Sequence, residues 1–275
     1  MNKFLVIGNP IDHSLSPKLH NYWMEKNNVN AIYEKEKLDS NDLQNFISNI
    51  RNKNICGANV TVPFKKEVIP YLDKLTPDAE ATQSVNTILL DNDDKIMGHN
   101  TDIGGFENAI KFTKYDFIKK KVFLLGAGGV VPSIIFALNK MRVSSITLSN
   151  RTKKKAEDLQ KFSNEKMLKK NKLSEIGVVN WGVIPEFDIV INATSVGLNN
   201  NQKLDLDFSN IGKNKFFYDV IYNPKETKFL KTGKDLGNQT ENGKKMFIYQ
   251  AAEAFKLWHN IQPEINEEVI ELLDQ

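Results

Sequence analysis

Two short polar segments of the chain contain residue types suited to proton transfer. In the first, residues 57–65, Asn59 and Thr61 alternate with valines, and Lys65 follows two positions after a proline. The second segment, residues 100–102, has the sequence Asn-Thr-Asp and ends in Asp102. An ammonium group oriented by a carboxylate can give or take a proton at a reacting oxygen. Lys65 and Asp102 are therefore a candidate acid–base pair, on the condition that the fold brings them together.

Each segment also has a purely structural interpretation. Alternation places Asn59 and Thr61 on one side of a strand, so a solvated sheet edge followed by a surface lysine fits the same pattern. Thr101 can cap a helix that begins at Asp102, where a carboxylate favours the positive helix end. Residue types and spacing leave both interpretations open.

The elements predicted around these segments are alternating strands and helices. Strands that alternate with helices are typical of a mostly parallel sheet covered on both faces. Ser16 followed by Pro17 has the pattern of a helix N-cap. Apolar patterns predict strands at 4–7, 32–38, 55–62, 86–90 and 95–98, and helices after Ser16 and at 43–50, 64–72 and 102–112.

A glycine-rich turn in the middle of the chain has the features of a dinucleotide site. The apolar run 122–125 predicts a buried strand, and helical apolar spacing begins at Val131. Between them, Gly126 permits a tight turn and Gly128 removes a Cβ that would block a pyrophosphate. The free N–H groups of the next helix favour an anion. The third glycine of the usual pattern is replaced by Val131.

The residues after the second strand of this lobe indicate the type of dinucleotide. NAD sites carry an acidic residue about 20 positions past the glycines, which binds the ribose hydroxyls. Here the strand 146–148 is followed by Asn150, Arg151, Thr152 and three lysines, without a carboxylate. A guanidinium can stack on adenine and pair with a 2′-phosphate. Arg151 therefore predicts NADP, and most of the lysines fit a solvated helix start.

Length and composition restrict the class of protein. A chain of 275 residues predicts two lobes, and later strands are expected at 188–191 and 216–220, with a long helix from Met246. The polar region 165–187 shows no clear pattern.

With 37 basic and 34 acidic residues, the net charge of +3 does not indicate a nucleic-acid or membrane partner. The single Cys56 fits a reducing cytosol and is interpreted as a buried small residue, and His20 as a helix-face residue. No residue cluster has metal-ligand spacing.

Eight segments, in order and spacing, resemble the shikimate dehydrogenase family. The resemblance covers nearly the whole chain, and although each segment is short, eight in register are very unlikely by chance. The segments are 8–17 (GNPIDHSLSP), 58–65 (ANVTVPFK), 84–87 (SVNT), 100–102 (NTD), 126–129 (GAGG), 150–152 (NRT), 192–197 (NATSVG) and 250–252 (QAA).

The resemblance implies a role for each matching residue. Lys65 would be the catalytic lysine and Asp102 its partner. Ser14 and Ser16 would bind the substrate carboxylate, with a helix cap as the structural alternative for Ser16. The remaining substrate-side residues are Asn86, Thr61 and Gln250, which would hold ring hydroxyls, Asn59, which would order the site, and Tyr222, which would line the pocket. The implied NADP contacts are Gly126, Ala127, Gly128, Gly129, Val130, Asn150, Arg151 and Thr152, with Val220 and Gly243 near the nicotinamide.

The implied activity is the NADPH-dependent, reversible reduction of 3-dehydroshikimate to shikimate in aromatic amino acid biosynthesis. The expected location is the cytoplasm, and the expected assembly is a monomer or homodimer. A substrate domain would comprise residues 1–103 and about 247–275, to which the C-terminal helices return, and a Rossmann-like NADP domain residues 104–246. The alternatives are a quinate/shikimate dehydrogenase with relaxed substrate or NAD use, and an NADP-binding regulator without catalysis.

The chain departs from the family pattern at three places. Val130, Val131 and Pro132 follow the glycines, where small or basic residues are usual. Lys244 and Lys245 replace a Leu-Gly pair. Gln83 and Ser84 stand where Gly-Ala is usual.

Overall fold

The structure is a computed structural model that describes residues 1–169, 172, 174–199 and 202–274. Two compact units are present, one formed by Met1–Gly105 with Ile248–Gln275 and the other by Phe106–Phe247. Each unit contains one six-stranded sheet. In the part of the chain that the structure describes, no helix has the length and apolar character needed to cross a membrane.

The elements alternate along the chain as the apolar patterns predict. The strands are β1 (Asn2–Gly8), β2 (Ala31–Lys37), β3 (Gly57–Val60), β4 (Lys74–Leu75), β5 (Thr87–Leu90), β6 (Ile96–His99), β7 (Lys121–Leu125), β8 (Ser145–Ser149), β9 (Glu175–Val179), β10 (Ile189–Asn192), β11 (Phe216–Asp219) and β12 (Gln239–Glu241). The α-helices are α1 (Ser16–Lys26), α2 (Leu43–Arg51), α3 (Phe64–Glu67), α4 (Pro77–Thr82), α5 (Asp102–Thr113), α6 (Val131–Lys140), α7 (Lys153–Phe162), α8 (Lys228–Asp235), α9 (Lys244–His259) and α10 (Glu267–Leu272).

The sheet of the first unit has the order β2-β1-β3-β5-β6-β4 and is mostly parallel. Only β5 runs against its neighbours β3 and β6. The connection between β5 and β6 is a tight turn, in which the Asp91 side chain accepts hydrogen bonds from the backbone N–H groups of Asp93 and Lys95, both at 2.9 Å. A turn this short can join only antiparallel strands. The apolar face predicted for α2 is its buried face.

The sheet of the second unit is fully parallel, in the order β12-β11-β10-β7-β8-β9. This is the Rossmann-like arrangement expected from the glycine strand, which is β7, near the centre of the sheet. The edge strand β9 lies in the region without a clear pattern. Only Ile176 of its five residues is buried, so its apolar signal is weak. The apolar residues at helical spacing on α6 are all fully buried, namely Val131, Ile134, Ile135 and Leu138.

Two local predictions were wrong. The helix expected at 64–72 ends as an α-helix at Glu67 and continues only as a 3₁₀ turn, Ile69–Tyr71, because Pro70 cannot donate the next helical hydrogen bond. Cys56 is half-buried rather than buried. His20 lies on α1, as expected, and is completely buried.

The departure at Gln83 has a visible backbone consequence. Gln83 is the C-cap of α4 and has the left-handed angles φ 48° and ψ 42°. Glycine adopts this conformation at little cost, which explains why it is usual at this position of the family. The Gln83 side chain donates a hydrogen bond to the carbonyl oxygen of Glu80 at 2.8 Å, which offsets part of the strain.

Candidate active site

Several polar residues that the sequence analysis singled out lie together at one end of the strands of the first sheet. β3 and β6 end there, and the antiparallel strand β5 begins there, so that Asn59 lies opposite Thr87, and Thr87 opposite His99. Asn86 immediately precedes β5, and Asp102 opens α5 shortly after β6. The reversed direction of β5 therefore brings three separate segments of sequence to one place.

Lys65 and Asp102 form the ion pair that the sequence could not establish. The Lys65 Nζ lies 2.6 Å from Asp102 Oδ2, and the two residues are only 8% and 5% exposed. The interpretation of Lys65 as a surface lysine is therefore wrong. A buried pair is poorly screened by water, so the carboxylate holds the ammonium in a defined position.

Asn86 orients the carboxylate of this pair. Its Nδ2 donates to Asp102 Oδ1 at 2.9 Å, and its Oδ1 accepts from the backbone N–H of Thr101 at 2.8 Å. The same Nδ2 lies 3.4 Å from Gln250 Oε1 on α9. The two amide residues predicted to hold ring hydroxyls are thus both next to the Lys65–Asp102 pair.

The serine pair lies at the beginning of α1. The backbone N–H of Ser16 donates to Ser14 Oγ at 3.3 Å. The N-cap of α1 is Leu15, without a side-chain capping bond, so the alternative interpretation of Ser16 as a helix cap is wrong.

Asn59 and Thr61 have different environments although they are two residues apart. Asn59 is buried, accepts from the Tyr33 hydroxyl at 2.6 Å and donates to the backbone oxygen of Asn86 at 3.1 Å. Its polar groups are used within the protein, which suits a residue that orders the site. Thr61 follows β3, is half-buried and donates its backbone N–H to the Ile7 oxygen at 2.9 Å.

In the second unit, the glycine turn between β7 and α6 leaves room for a phosphate. Gly126 has φ +114°, and a Cβ there would lie 2.8 Å from the Ala193 carbonyl oxygen. A Cβ at Gly128 would meet nothing within 4 Å, so this backbone faces open space. Ala127, Gly129 and Val130 complete the turn, and α6 follows with Pro132 in its first turn. Val131, which replaces the third glycine of the usual pattern, is accommodated in the interior, where its side chain is fully buried.

The segment after β8 presents one exposed guanidinium. Asn150 Nδ2 donates to the Thr152 carbonyl oxygen at 2.8 Å, which closes the loop that carries Arg151. Lys153 and Lys154 pair with carboxylates one helical turn away, at 3.6 and 2.6 Å. Within the described parts of the chain, neither Arg151 nor Lys155 forms an ion pair.

Val220 and Gly243, both predicted near the nicotinamide, lie in contact with each other. A Cβ at Gly243 would collide with the Val220 carbonyl oxygen, so the position requires glycine. Tyr222 stacks on Phe247, with ring centroids 4.5 Å apart. Nearby, Lys245 pairs with Glu241 at 3.1 Å.

The departures at Lys244 and Lys245 are accommodated within the second unit. Besides its ion pair, the Lys245 ammonium lies 4.2 Å from the centroid of the Phe112 ring. Lys244 is only 7% exposed, and its backbone N–H donates to Asn242 Oδ1 at 3.0 Å. Lys245 is therefore engaged by groups of the protein itself.

Asp219 is a buried carboxylate to which the sequence analysis assigned no role. It ends β11 and is completely buried. It accepts hydrogen bonds from Thr227 Oγ1 at 2.6 Å, from the backbone N–H of Ile221 at 3.0 Å and from Asn192 Nδ2 at 3.1 Å. Burial raises the pKa of Asp219 from its ordinary value of 3.8 to about 6, against the effect of these donors. The signal available in the sequence was an acidic residue directly after three aromatic residues of a strand.

This raised pKa predicts a pH-dependent stability. The folded protein holds the Asp219 proton more tightly than the unfolded chain does. The stabilisation that protonated Asp219 gives the folded state is therefore present at low pH and is lost as the pH rises through 6. Between pH 7.5 and pH 5, the free energy of unfolding should increase by about 1.4 kcal/mol more for the wild type than for Asp219→Asn, whose amide does not titrate. Denaturant unfolding of both proteins at the two pH values measures this difference. Identical pH dependence in both would contradict the assignment.

Comparison with known proteins assigns both units to one family. The model of the shikimate dehydrogenase substrate binding domain matches residues 6–88, and the model described as shikimate/quinate 5-dehydrogenase matches residues 108–224. The NADP(+)-dependent shikimate dehydrogenase of Pelagibacter ubique (strain HTCC1062) is 53% identical over 271 residues, which are 98% of each chain. The chain belongs to the shikimate dehydrogenase family.

Solved structures agree with this family membership. A shikimate dehydrogenase crystallised with NADP+ superposes with a TM-score of 0.89 at 33% identity, over 100% of this chain and 95% of the other. The quinate dehydrogenase of Corynebacterium glutamicum, crystallised with NAD, gives a TM-score of 0.87 at 26% identity, over 100% and 99% of the two chains. The fold expected from the sequence is confirmed, and it is shared by family members with different substrates and cofactors.

Proposed function

We propose that this chain catalyses the reversible, NADPH-dependent reduction of 3-dehydroshikimate to shikimate, a step of aromatic amino acid biosynthesis. The observation that carries the proposal is the buried ion pair of Lys65 and Asp102, 2.6 Å apart, with Asn86 and Gln250 beside it. The family membership identifies the substrate. The site supplies the acid–base group that the reaction needs.

Reduction of the ketone places negative charge on its oxygen. When bound, NADPH supplies the hydride. The Lys65 ammonium stabilises the developing charge and donates the proton, and in the reverse direction the amine removes the proton of the alcohol. Asp102 holds Lys65 in place, and Asn86 holds Asp102 through its Nδ2, so the donor is oriented before the substrate arrives.

The remaining substrate-side residues would position the ring. The hydroxyls of Ser14 and Ser16 are suited to a carboxylate, since both can donate hydrogen bonds to it. Thr61, Gln250 and Asn86 would hold ring hydroxyls. Tyr222, whose ring is fixed by stacking on Phe247, would line the pocket.

The residues of the second unit fit NADP. The open space at Gly128 and the first turn of α6 suit a pyrophosphate. Arg151 is exposed and unpaired among the described residues, which suits a 2′-phosphate. Of the three lysines, Lys155 is the one to assist Arg151, because Lys153 and Lys154 already pair with carboxylates.

Two further properties belong to the proposal. We place the enzyme in the cytoplasm, because its single cysteine gives no internal disulfide. We also propose that it acts as a monomer or homodimer, since each unit carries its own set of predicted ligand residues.

Steady-state kinetics with shikimate and quinate, each with NADP and NAD, test the proposal. We expect kcat/KM for shikimate to exceed that for quinate by about 100-fold, because quinate carries an additional hydroxyl that the site must accommodate. NADP should be preferred over NAD because of Arg151. Equal use of both substrates or both cofactors would support the relaxed quinate/shikimate enzyme. Absence of turnover in all four combinations would support a non-catalytic regulator.

A further inference from the structure

Residues of α1 hold both the backbone and the ring of Tyr33. Tyr33 lies on β2, the edge strand of the sheet, and is 1% exposed. Asn21 of α1 pairs with its backbone twice, with Nδ2 donating to the Tyr33 oxygen at 2.8 Å and Oδ1 accepting from its N–H at 2.9 Å. The His20 ring stacks on the phenol at 4.2 Å between centroids, with 4° between the planes. The phenol therefore has a fixed direction.

The His20 ring stacks on Tyr33 in a fully buried position, where within the described residues neither of its ring nitrogens has a hydrogen-bond partner. Burial lowers the pKa of His20 to about 3, so the ring is neutral at ordinary pH. Buried polar atoms without partners are rare in folded proteins. A neutral imidazole here is consistent with a need to hold Tyr33.

The Tyr33 hydroxyl begins a buried chain of hydrogen bonds. It donates to Asn59 Oδ1 at 2.6 Å. Asn59 Nδ2 then donates to Thr87 Oγ1 at 3.0 Å, and Thr87 Oγ1 donates to Asn86 Oδ1 at 3.1 Å. Asn86 is the residue that orients the Asp102 carboxylate.

The chain has a direction, because each step uses a donor at one end and an acceptor at the other. Donation by the phenol requires the oxygen of the Asn59 amide to face it, which turns the Asn59 NH₂ group toward Thr87. Thr87 must then donate onward, which places the oxygen of Asn86 toward Thr87 and its NH₂ group toward Asp102. Hydrogen bonds linked in this way in a buried environment reinforce one another.

We propose that Tyr33 is a positioning residue of the reaction, which supports through Asn59 and Thr87 the amide of Asn86 that orients Asp102 and Lys65. This inference rests on the proposed function, since it takes Lys65 as the acid–base group of the reaction. Without the phenol hydroxyl, Asn59 Oδ1 loses its buried donor, and the chain that ends at Asp102 loses its first hydrogen bond. Tyr33 itself touches neither the Lys65 ammonium nor the Asp102 carboxylate.

The Tyr33→Phe variant tests the coupling, because it removes only the hydroxyl. We expect kcat for shikimate oxidation to fall about tenfold, while KM for NADP stays unchanged. The pH profile of kcat/KM should shift by about half a unit, because the hydrogen bonding of Asp102 changes next to Lys65. Initial rates over a pH series measure both effects.

A second pair of variants breaks the same chain at another link. Thr87→Val removes the hydroxyl at equal volume and should reproduce the loss in kcat and the shifted profile. Thr87→Ser keeps the hydroxyl and should restore both. Trp23→Phe is the structural control, because it removes the hydrogen bond from Trp23 Nε1 to the Glu264 oxygen at 3.0 Å in the same aromatic cluster but leaves the chain intact. It should lower the unfolding temperature without altering the pH profile.

The outcomes separate this inference from the proposed function. A wild type that oxidises shikimate, with Tyr33→Phe and Thr87→Val retaining its kcat and pH profile, contradicts the role of Tyr33 alone. The same conclusion follows if both variants behave like Trp23→Phe and lose only stability. A wild type without activity on shikimate contradicts the proposed function, and this inference with it.

Discussion

The Lys65→Ala variant is expected to lose between two and four orders of magnitude in kcat for shikimate oxidation, the usual contribution of a positioned acid–base group. KM for shikimate should change little, because the ammonium acts on charge that develops only in the transition state. Lys65 lies 2.6 Å from Asp102 and is 8% exposed, so water can replace its ammonium only poorly. Steady-state kinetics in both directions measure the loss.

Stability must be measured beside the kinetics of Lys65→Ala. The substitution leaves the buried Asp102 carboxylate without its cation, which destabilises proteins by about 3–5 kcal/mol in comparable cases. Asn86 still donates to this carboxylate at 2.9 Å, so the folded state should persist. Lys66→Ala is the matched control, since Lys66 is the exposed neighbour in the same short helix. Normal turnover by a folded Lys65→Ala protein would refute the assignment.

The Arg151→Glu variant is expected to raise KM for NADPH about 100-fold, which corresponds to the loss of charge-assisted hydrogen bonds worth about 3 kcal/mol. KM for NADH should change only a few-fold, because NADH has no 2′-phosphate to be repelled. Arg151 is exposed, and the Asn150–Thr152 hydrogen bond of 2.8 Å holds its loop. Initial rates with each reduced cofactor measure the two constants.

The neighbouring lysines supply the control for charge alone. Lys154→Glu introduces the same charge change three residues away, at a side chain that pairs with Asp158 at 2.6 Å in the wild type. It should change KM for NADPH far less than Arg151→Glu does. Two results would show that Arg151 does not bind the 2′-phosphate. In one, Arg151→Glu raises KM equally for NADPH and NADH, and in the other, both variants raise KM for NADPH equally.

Much of the fold was predictable because its signals are local. The run 122–125 and the glycines after it predicted β7 and the turn, and the apolar spacing from Val131 predicted α6. Elements with weak apolar signals escaped prediction. The edge strand β9 has one buried side chain, and the polar strand β12 is only three residues long. Neither has the burial that produces a readable pattern.

The candidate site was predictable only in part, and for a different reason. Matching motifs named Lys65, Asp102, Ser16 and Asn86, but their spacing also fitted a surface lysine and a helix cap. Burial of Lys65 and the uncapped start of α1 decide against those alternatives. Tyr33 carried no motif at all, because its importance lies in what its hydroxyl contacts.

The sequence by itself determined the alternating α/β elements, the glycine turn, the absence of an acidic residue after β8 and the family. The tertiary structure decided which side chains meet. Lys65 and Asp102 are 37 positions apart, and Tyr33 and Asn59 are 26 apart. Such pairings depend on the order, direction and register of strands, above all on the reversal of β5 between β3 and β6. Local propensity contains no information on these, because the packing of the whole unit selects them.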